Sequence, residues 1–300
     1  MADNDDVPFN RDFPLKPGVV EEVRPGVRRL LCNNPSPFTF SGTVSYIVGR
    51  GKVAIIDPGP DNEAHAAALL DAVHGETVTH ILVTHTHMDH VPATPALAKA
   101  TGAKVYSYGP HPRSPGDEKP EEAGDLSFAP DIKLNDGDVV EGDGWNVEAV
   151  YTPGHISNHL CFAVKEDSAL LSGDHVMGWS TAVISPPDGN MADYFASLRK
   201  LLPREETLYI PTHGAEIRNP NPFVQAYIEH RLGREAQIMA RLKEGPQTIP
   251  QMVAKNYVDT PLHLHTAAGR SMLAHLVQMV KDGRVKTDDG RATIDSTYRL

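Results

Sequence analysis

The chain has 300 residues, 40% of them hydrophobic and 22% charged, enough for one large domain or a domain with an appendage. Its formal net charge of −11 argues against a broad nucleic-acid-binding surface, and no apolar run approaches the roughly 18 residues of a membrane span. The opening "MADNDDVPFN" lacks the basic and apolar regions of a secretory signal, and Cys32 and Cys161 form no CxxC pair, so a cytoplasmic protein with two reduced thiols is expected.

In chain order, "TVSYIVGRGKVAIIDPG" reads as two strands around a Gly-Arg-Gly turn. "NEAHAAALLDAVHG" has helix composition and stops at Gly75. "THILVTH" is a short buried strand, "MDHVPATPALAKATG" a helix with proline near its start and Gly102 as its cap, and "KVYSY" a strand again. This alternation predicts a sheet with helices packed on it. Residues 109–131 carry five prolines and no periodicity, which predicts an exposed loop placed as a flap over a site. Strands resume in "WNVEAVYTPG" and "HLCFAVKEDSALLSGD", followed by a helix ending at Pro203 and the strand of "TLYIPTHG". From about residue 220 the character changes. Three helices ("NPFVQAYIEHRLGREAQIMARLKEG", "TIPQMVAKNY", "LHTAAGRSMLAHLVQMVKDG") precede "RVKTDDGRATID", which reads as a hairpin turning at Asp-Gly. Residues 215–300 hold 12 Lys+Arg against 9 Asp+Glu, and the remainder 16 against 30, so a weakly basic tail follows a strongly acidic body.

The densest chemistry is in "THTHMDH". His85 and His87 alternate, so on extended backbone they point the same way. Asp89 and His90 are expected at the start of the next helix, where backbone N–H groups favour anionic ligands. Imidazoles and carboxylates at this density suit zinc or another borderline divalent metal. A chance H-x-H-x-D-H is expected about once in several hundred chains of this composition. His155, Asp174 and His213 each follow a predicted strand in a Gly-bearing loop. Singly they read as ordinary loop residues; their shared context makes them further ligand candidates.

"THTHMDH", "TPGH", "LLSGD" and "PTHG", in that order, resemble the metal motifs of the metallo-β-lactamase superfamily, and "AIIDPG" resembles its upstream Asp-x-Gly. The resemblance covers about residues 40–215. It implies an α/β (α+β) fold: a four-layer αβ/βα sandwich over residues 1–220, with a small helical, winged-helix-like domain over 221–300. It implies two divalent metal ions, zinc first, with Mn2+ or Fe2+ as alternatives. His85, His87 and His155 would hold one, Asp89, His90 and His213 the other, and Asp174 would bridge them. Asp57 would orient the ligand loop from beneath. Thr212 stands where many members have glycine, without removing a ligand. Asp rather than Cys at 174 separates the chain from antibiotic-degrading lactamases, and His87 and His90 separate it from the flavodiiron branch.

Such a centre would activate water against a polarised carbonyl or phosphoryl group, with Asp89 orienting the water and accepting its proton. His159 is a candidate substrate contact or acid, His175 a structural residue, and His263, His265 and His275 ordinary tail residues. The tail resembles that of the lactamase-like branch whose best-known animal member is a mitochondrial endoribonuclease. The leading expectation is a hydrolase of an ester, thioester or related small substrate. The alternatives are cleavage of single-stranded RNA, and a winged-helix nucleic-acid-binding protein with a vestigial metal site. A mono-iron persulfide oxygenase shares the histidine motif. The expected partner is a small-molecule substrate, with RNA the alternative, no membrane, and a homo-oligomer left open.

Overall fold

The computed structural model of the chain describes residues 7–112, 124–258 and 261–300, leaving aside the side chain of His263. Strands β1 (Val20–Arg24), β2 (Val27–Leu31), β3 (Val44–Arg50) and β4 (Lys52–Ile56) form an antiparallel meander. Helix α1 (Glu63–Ala72) then leads to β5 (Thr77–Leu82), and α2 (Thr94–Thr101) to β6 (Lys104–Ser107), both added in parallel. With β7 (Ile132–Lys133) they make a seven-stranded sheet in sequence order. A second meander, β8 (Val139–Glu141), β9 (Asn146–Tyr151), β10 (Leu160–Val164) and β11 (Ala169–Gly173), is followed by α3 (Met191–Leu201) and completed by the parallel strand β12 (Leu208–Pro211). The tail holds α4 (Pro220–Lys243), β13 (Gln247–Thr248), α5 (Ile249–Asn256), α6 (His265–Lys281) and β14 (Thr297–Tyr298).

Alternation along the strands builds four layers. Tyr46 and Val48 of β3 point inward against Phe162 and Leu171 of the other sheet. Ile47 between them points outward onto Leu69 of α1 and Leu97 of α2. On the far side, Cys161 and Ala163 of β10 meet Tyr194 and Leu198 of α3 and Tyr227 of α4. Both faces of each sheet are thus covered, and β2, β10 and β11 are buried along their whole length. Local chemistry fixes the helix ends. The Asn62 side chain accepts the His65 N–H at the start of α1, Asn190 does the same for Ala192 and Asp193 in α3, and Gly102 (φ 74°) stops α2 as expected.

Four expectations are corrected. Helix α2 begins at Thr94, so Asp89 and His90 lie on a turn ahead of it, closed by His90 N–H to His87 O at 3.0 Å. Pro92 is the reason: it disfavours helical backbone at Val91 and donates no N–H. The terminal segment is no Asp-Gly hairpin. β14 pairs instead with β13, and Lys286 pairs with Arg299. Asp289 takes the Arg291 N–H at 3.0 Å, which spends the turn locally. The loop at 109–131 is not wholly exposed: His111 and Phe128 are buried, Gly124 pairs with His87, and Asp125 N–H reaches Thr86 O at 2.7 Å. Its middle, 113–123, lies outside the described residues. Last, α4 serves both halves of the chain, because Phe223, Val224, Tyr227 and Ile228 sit in the body's core while Ile238 and Leu242 join the tail's own core.

Cys32 and Cys161 are both free and buried, and burial lifts their thiols to about 11 and about 12, so both stay protonated at neutral pH. No helix among the described residues is long and apolar enough to cross a membrane.

Candidate metal centre

The predicted ligands follow strand ends, and the two sheets bring those ends together. β5 delivers His85 to His90, β9 delivers His155, β11 delivers Asp174 and β12 delivers His213. They fall into two groups, His85–His87–His155–Asp174 and Asp89–His90–His213, each with its ligand atoms within 4.8 Å of one another. His87 Nδ1 lies 2.9 Å from His85 Nε2 and 3.0 Å from His155 Nε2. Three imidazole nitrogens aimed at one point cannot all share protons, and they suit a cation about 2.0–2.1 Å from each. Asp174 Oδ2 stands between the groups, 3.7 Å from His155, 3.6 Å from His90 and 3.4 Å from His213. Asp89 Oδ2 is 3.3 Å from His90 Nε2 and 3.2 Å from His213 Nε2.

The residues fit divalent cations on a further count. His90 Nε2 and Asp174 Oδ1 are buried without a hydrogen-bond partner among the described residues, a costly state that a bound cation relieves. The other ring nitrogens are held from behind. His90 Nδ1 meets Asp57 Oδ2 at 2.9 Å, His85 Nδ1 meets the Thr84 hydroxyl at 3.0 Å, His155 Nδ1 meets Val183 O at 2.5 Å and His213 Nδ1 meets Gly42 O at 3.1 Å. Asp57 is fully buried and also accepts the Thr84 N–H and hydroxyl, both at 2.7 Å. It therefore lies where sequence reasoning expected it, beneath the ligand loop. Such outer partners fix tautomer and ring orientation.

The two groups differ electrostatically. Burial, reinforced by His155, pushes His87 down to about 3, and burial with the neighbouring His90 also holds His85 low. Burial opposes charge on His213 as well, but Asp174 and Asp89 outweigh it and lift that imidazole to about 10. His90 is raised in the same way by Asp89 and Asp174. His85 and His87 are thus held neutral, whereas His90 and His213 are coupled to carboxylates.

His159 is a correction. It is fully buried behind the ligands, its Nδ1 on the Thr152 hydroxyl at 2.9 Å and its Nε2 accepting the Asp174 N–H at 3.2 Å. It holds the loop that carries Asp174 and does not line the cavity. His175 is structural as expected, buried against Tyr194 at 4.9 Å between ring centroids. Sequence reasoning missed Thr43, whose hydroxyl donates to Asp89 at 3.1 Å, and His111, because neither sits in a motif. It also misjudged His265, which lines the cavity over the centre; the side chain of His263 lies outside the described residues.

That cavity encloses about 750 Å³. His87, His155 and His111 form its floor, while Ile249, Val253, Leu273 and Ile294 of the tail form an apolar wall that also carries Arg270. A mostly apolar cleft with a few convergent polar groups is the usual form of a small-molecule site.

Residues 38–213 match the family described as the metallo-beta-lactamase superfamily, and residues 248–292 match the beta-lactamase associated winged helix domain. A Caenorhabditis elegans protein named beta-lactamase-like protein 2 homolog is 31% identical, covering 89% of this chain and 88% of its own. An Aspergillus fumigatus protein named atrochrysone carboxyl ACP thioesterase is 32% identical, covering 78% of this chain and 70% of its own. A solved beta-lactamase domain protein from Burkholderia ambifaria superposes with a TM-score of 0.78 at 23% identity, covering 96% of each chain, which speaks for the fold.

Proposed function

This chain belongs to the metallo-beta-lactamase superfamily, and we propose that it hydrolyses acyl esters or thioesters at a centre of two divalent ions, zinc first among the candidates. The observation that carries the reading is the cavity: one face is made of the ligand histidines His87 and His155 and the other of apolar side chains from the tail. That shape accommodates an acyl chain with its carbonyl at the ligands. Relatives named as thioesterases support the same class.

When bound, the ions supply Lewis acidity toward both a water molecule and the substrate carbonyl. The chain's own residues do the rest. Asp57 holds His90 and Thr84 holds His85 in the tautomer whose Nε2 faces inward. Asp89 is the more open carboxylate, its side chain 25% exposed against 10% for Asp174. Its Oδ2 takes the Thr43 hydroxyl and faces His90 and His213, which leaves Oδ1 to receive a water proton. The tail's apolar wall excludes bulk water from the reacting bond. A complete second group supports two metals over a single iron, and intact ligand sets oppose a vestigial site.

The test is elemental analysis together with a panel of nitrophenyl esters, acyl thioesters and labelled single-stranded RNA. Wild type should carry about two divalent ions and turn over esters or thioesters. His87→Ala and Asp174→Ala should lose metal and turnover while keeping a cooperative melt. RNA cleavage without ester or thioester hydrolysis would move the assignment to the ribonuclease alternative.

A further inference from the structure

We propose that His111 is a fixed hydrogen-bond donor to the carbonyl oxygen of the substrate, held in one tautomer by a relay of buried side chains. The inference deepens the hydrolase reading and rests on it. His111 belongs to neither ligand group, yet it is 5% exposed and lines the cavity beside His87 and His155.

The relay starts at a backbone carbonyl. Gly109 O lies 2.7 Å from Asn158 Nδ2, and a carbonyl only accepts, so the amide must present its NH2 there. The second proton of that NH2 goes to Thr86 Oγ1 at 3.0 Å. Thr86 is fully buried, so its own proton needs an acceptor, and among the described residues its hydroxyl has one left, His111 Nδ1 at 2.8 Å. His111 Nδ1 therefore accepts. The neutral ring carries its proton on Nε2. His111 lines the cavity, and Nε2 is the ring nitrogen that Thr86 does not engage.

The ring is also fixed in place. Gly124 backs onto it so closely that a Cβ there would lie 2.1 Å from His111 Cε1, and Gly124 pairs with His87 across an antiparallel bridge. His111 and His87 are thus two walls of one rigid corner. A donor beside the three-histidine group is placed for the oxygen that becomes negative as water adds to the carbonyl. The interaction is a hydrogen bond that strengthens with that charge, and no proton leaves the ring. Asn158 and Thr86 act through His111 as positioning residues.

The test compares His111→Ala, His111→Gln and Thr86→Val on an ester and a thioester of the same acyl group, with metal content and melting temperature recorded. His111→Ala should lower kcat about 100-fold, to the same extent for both leaving groups, with KM little changed. His111→Gln, whose amide still donates, should recover about tenfold of that loss. Thr86→Val, with metal retained, should lower kcat and leave KM unchanged, because Nδ1 no longer accepts the hydrogen bond that fixes the tautomer. Activity of His111→Ala within about threefold of wild type would overturn the proposal. So would equal loss of activity in the Ala and Gln variants, or loss of metal in both. Wild-type protein that hydrolyses no ester or thioester would instead sink the hydrolase reading, whatever His111 does.

Discussion

Asp57 is buried at positive φ (50°), a backbone state costing most residues about 1 kcal/mol or more but tolerated by Asp. Its carboxylate collects the Thr84 N–H, the Thr84 hydroxyl and His90 Nδ1, so one strained residue sets the direction of two candidate ligand side chains. Asp57→Asn should weaken binding of the metal held by His90 about 10- to 100-fold, read by competition with a chelator. Unchanged affinity would separate Asp57 from the centre. The raised His213 and His90 carry a second consequence. Metal-free protein holds protons on them at neutral pH, so metal uptake must displace those protons and weaken as pH falls. Calorimetric titration in two buffers of different ionisation enthalpy should give different apparent heats. Identical heats would mean that the imidazoles are already neutral.

At the scale of elements, α4 couples body and tail. Tyr227 on its first half faces the Met177 and Ser180 carbonyls at 2.6 Å, and Glu235 farther along it pairs with Arg284 at 2.6 Å. Burial resists ionisation of Glu235, but His275 and Arg284 outweigh it and hold the carboxyl down to about 2. His275 itself is driven toward the neutral form by burial and stands 3.6 Å away, so Arg284 is the charge that matters. A carboxyl depressed on folding stabilises fully above its ordinary unfolded value of about 4.3, and that stability is lost as pH falls toward its folded value. Glu235→Gln should therefore melt lower at neutral pH, with a flatter dependence of Tm between about pH 5 and pH 3. Parallel curves for variant and wild type would show that the pair adds nothing.

For the molecule as a whole, the cavity has no single owner: the body supplies chemistry and the tail supplies an apolar wall. Leu273→Trp should narrow that wall. In a chain-length series, kcat/KM for an octanoyl substrate should fall about tenfold more than for an acetyl one. Equal losses would mean that the acyl chain lies elsewhere.

The sequence by itself marked the central strands of both sheets, Gly102 at the end of α2 and the seven side chains that the structure gathers into two groups, because alternation, caps and clustered His and Asp side chains are local signals. His155, Asp174 and His213 were legible through their repeated strand–loop context and resemblance to a family. Tertiary structure alone decided where solvent reaches. His159 four positions from a ligand is sealed behind the centre, while His111 in an unpatterned loop faces the cavity, and His265 in the tail joins it. The end of the chain chose β13 over its own Asp-Gly turn for the same reason. Periodicity records which face of an element is buried, but which elements meet across a gap depends on packing between segments far apart in the chain, and no local pattern encodes it.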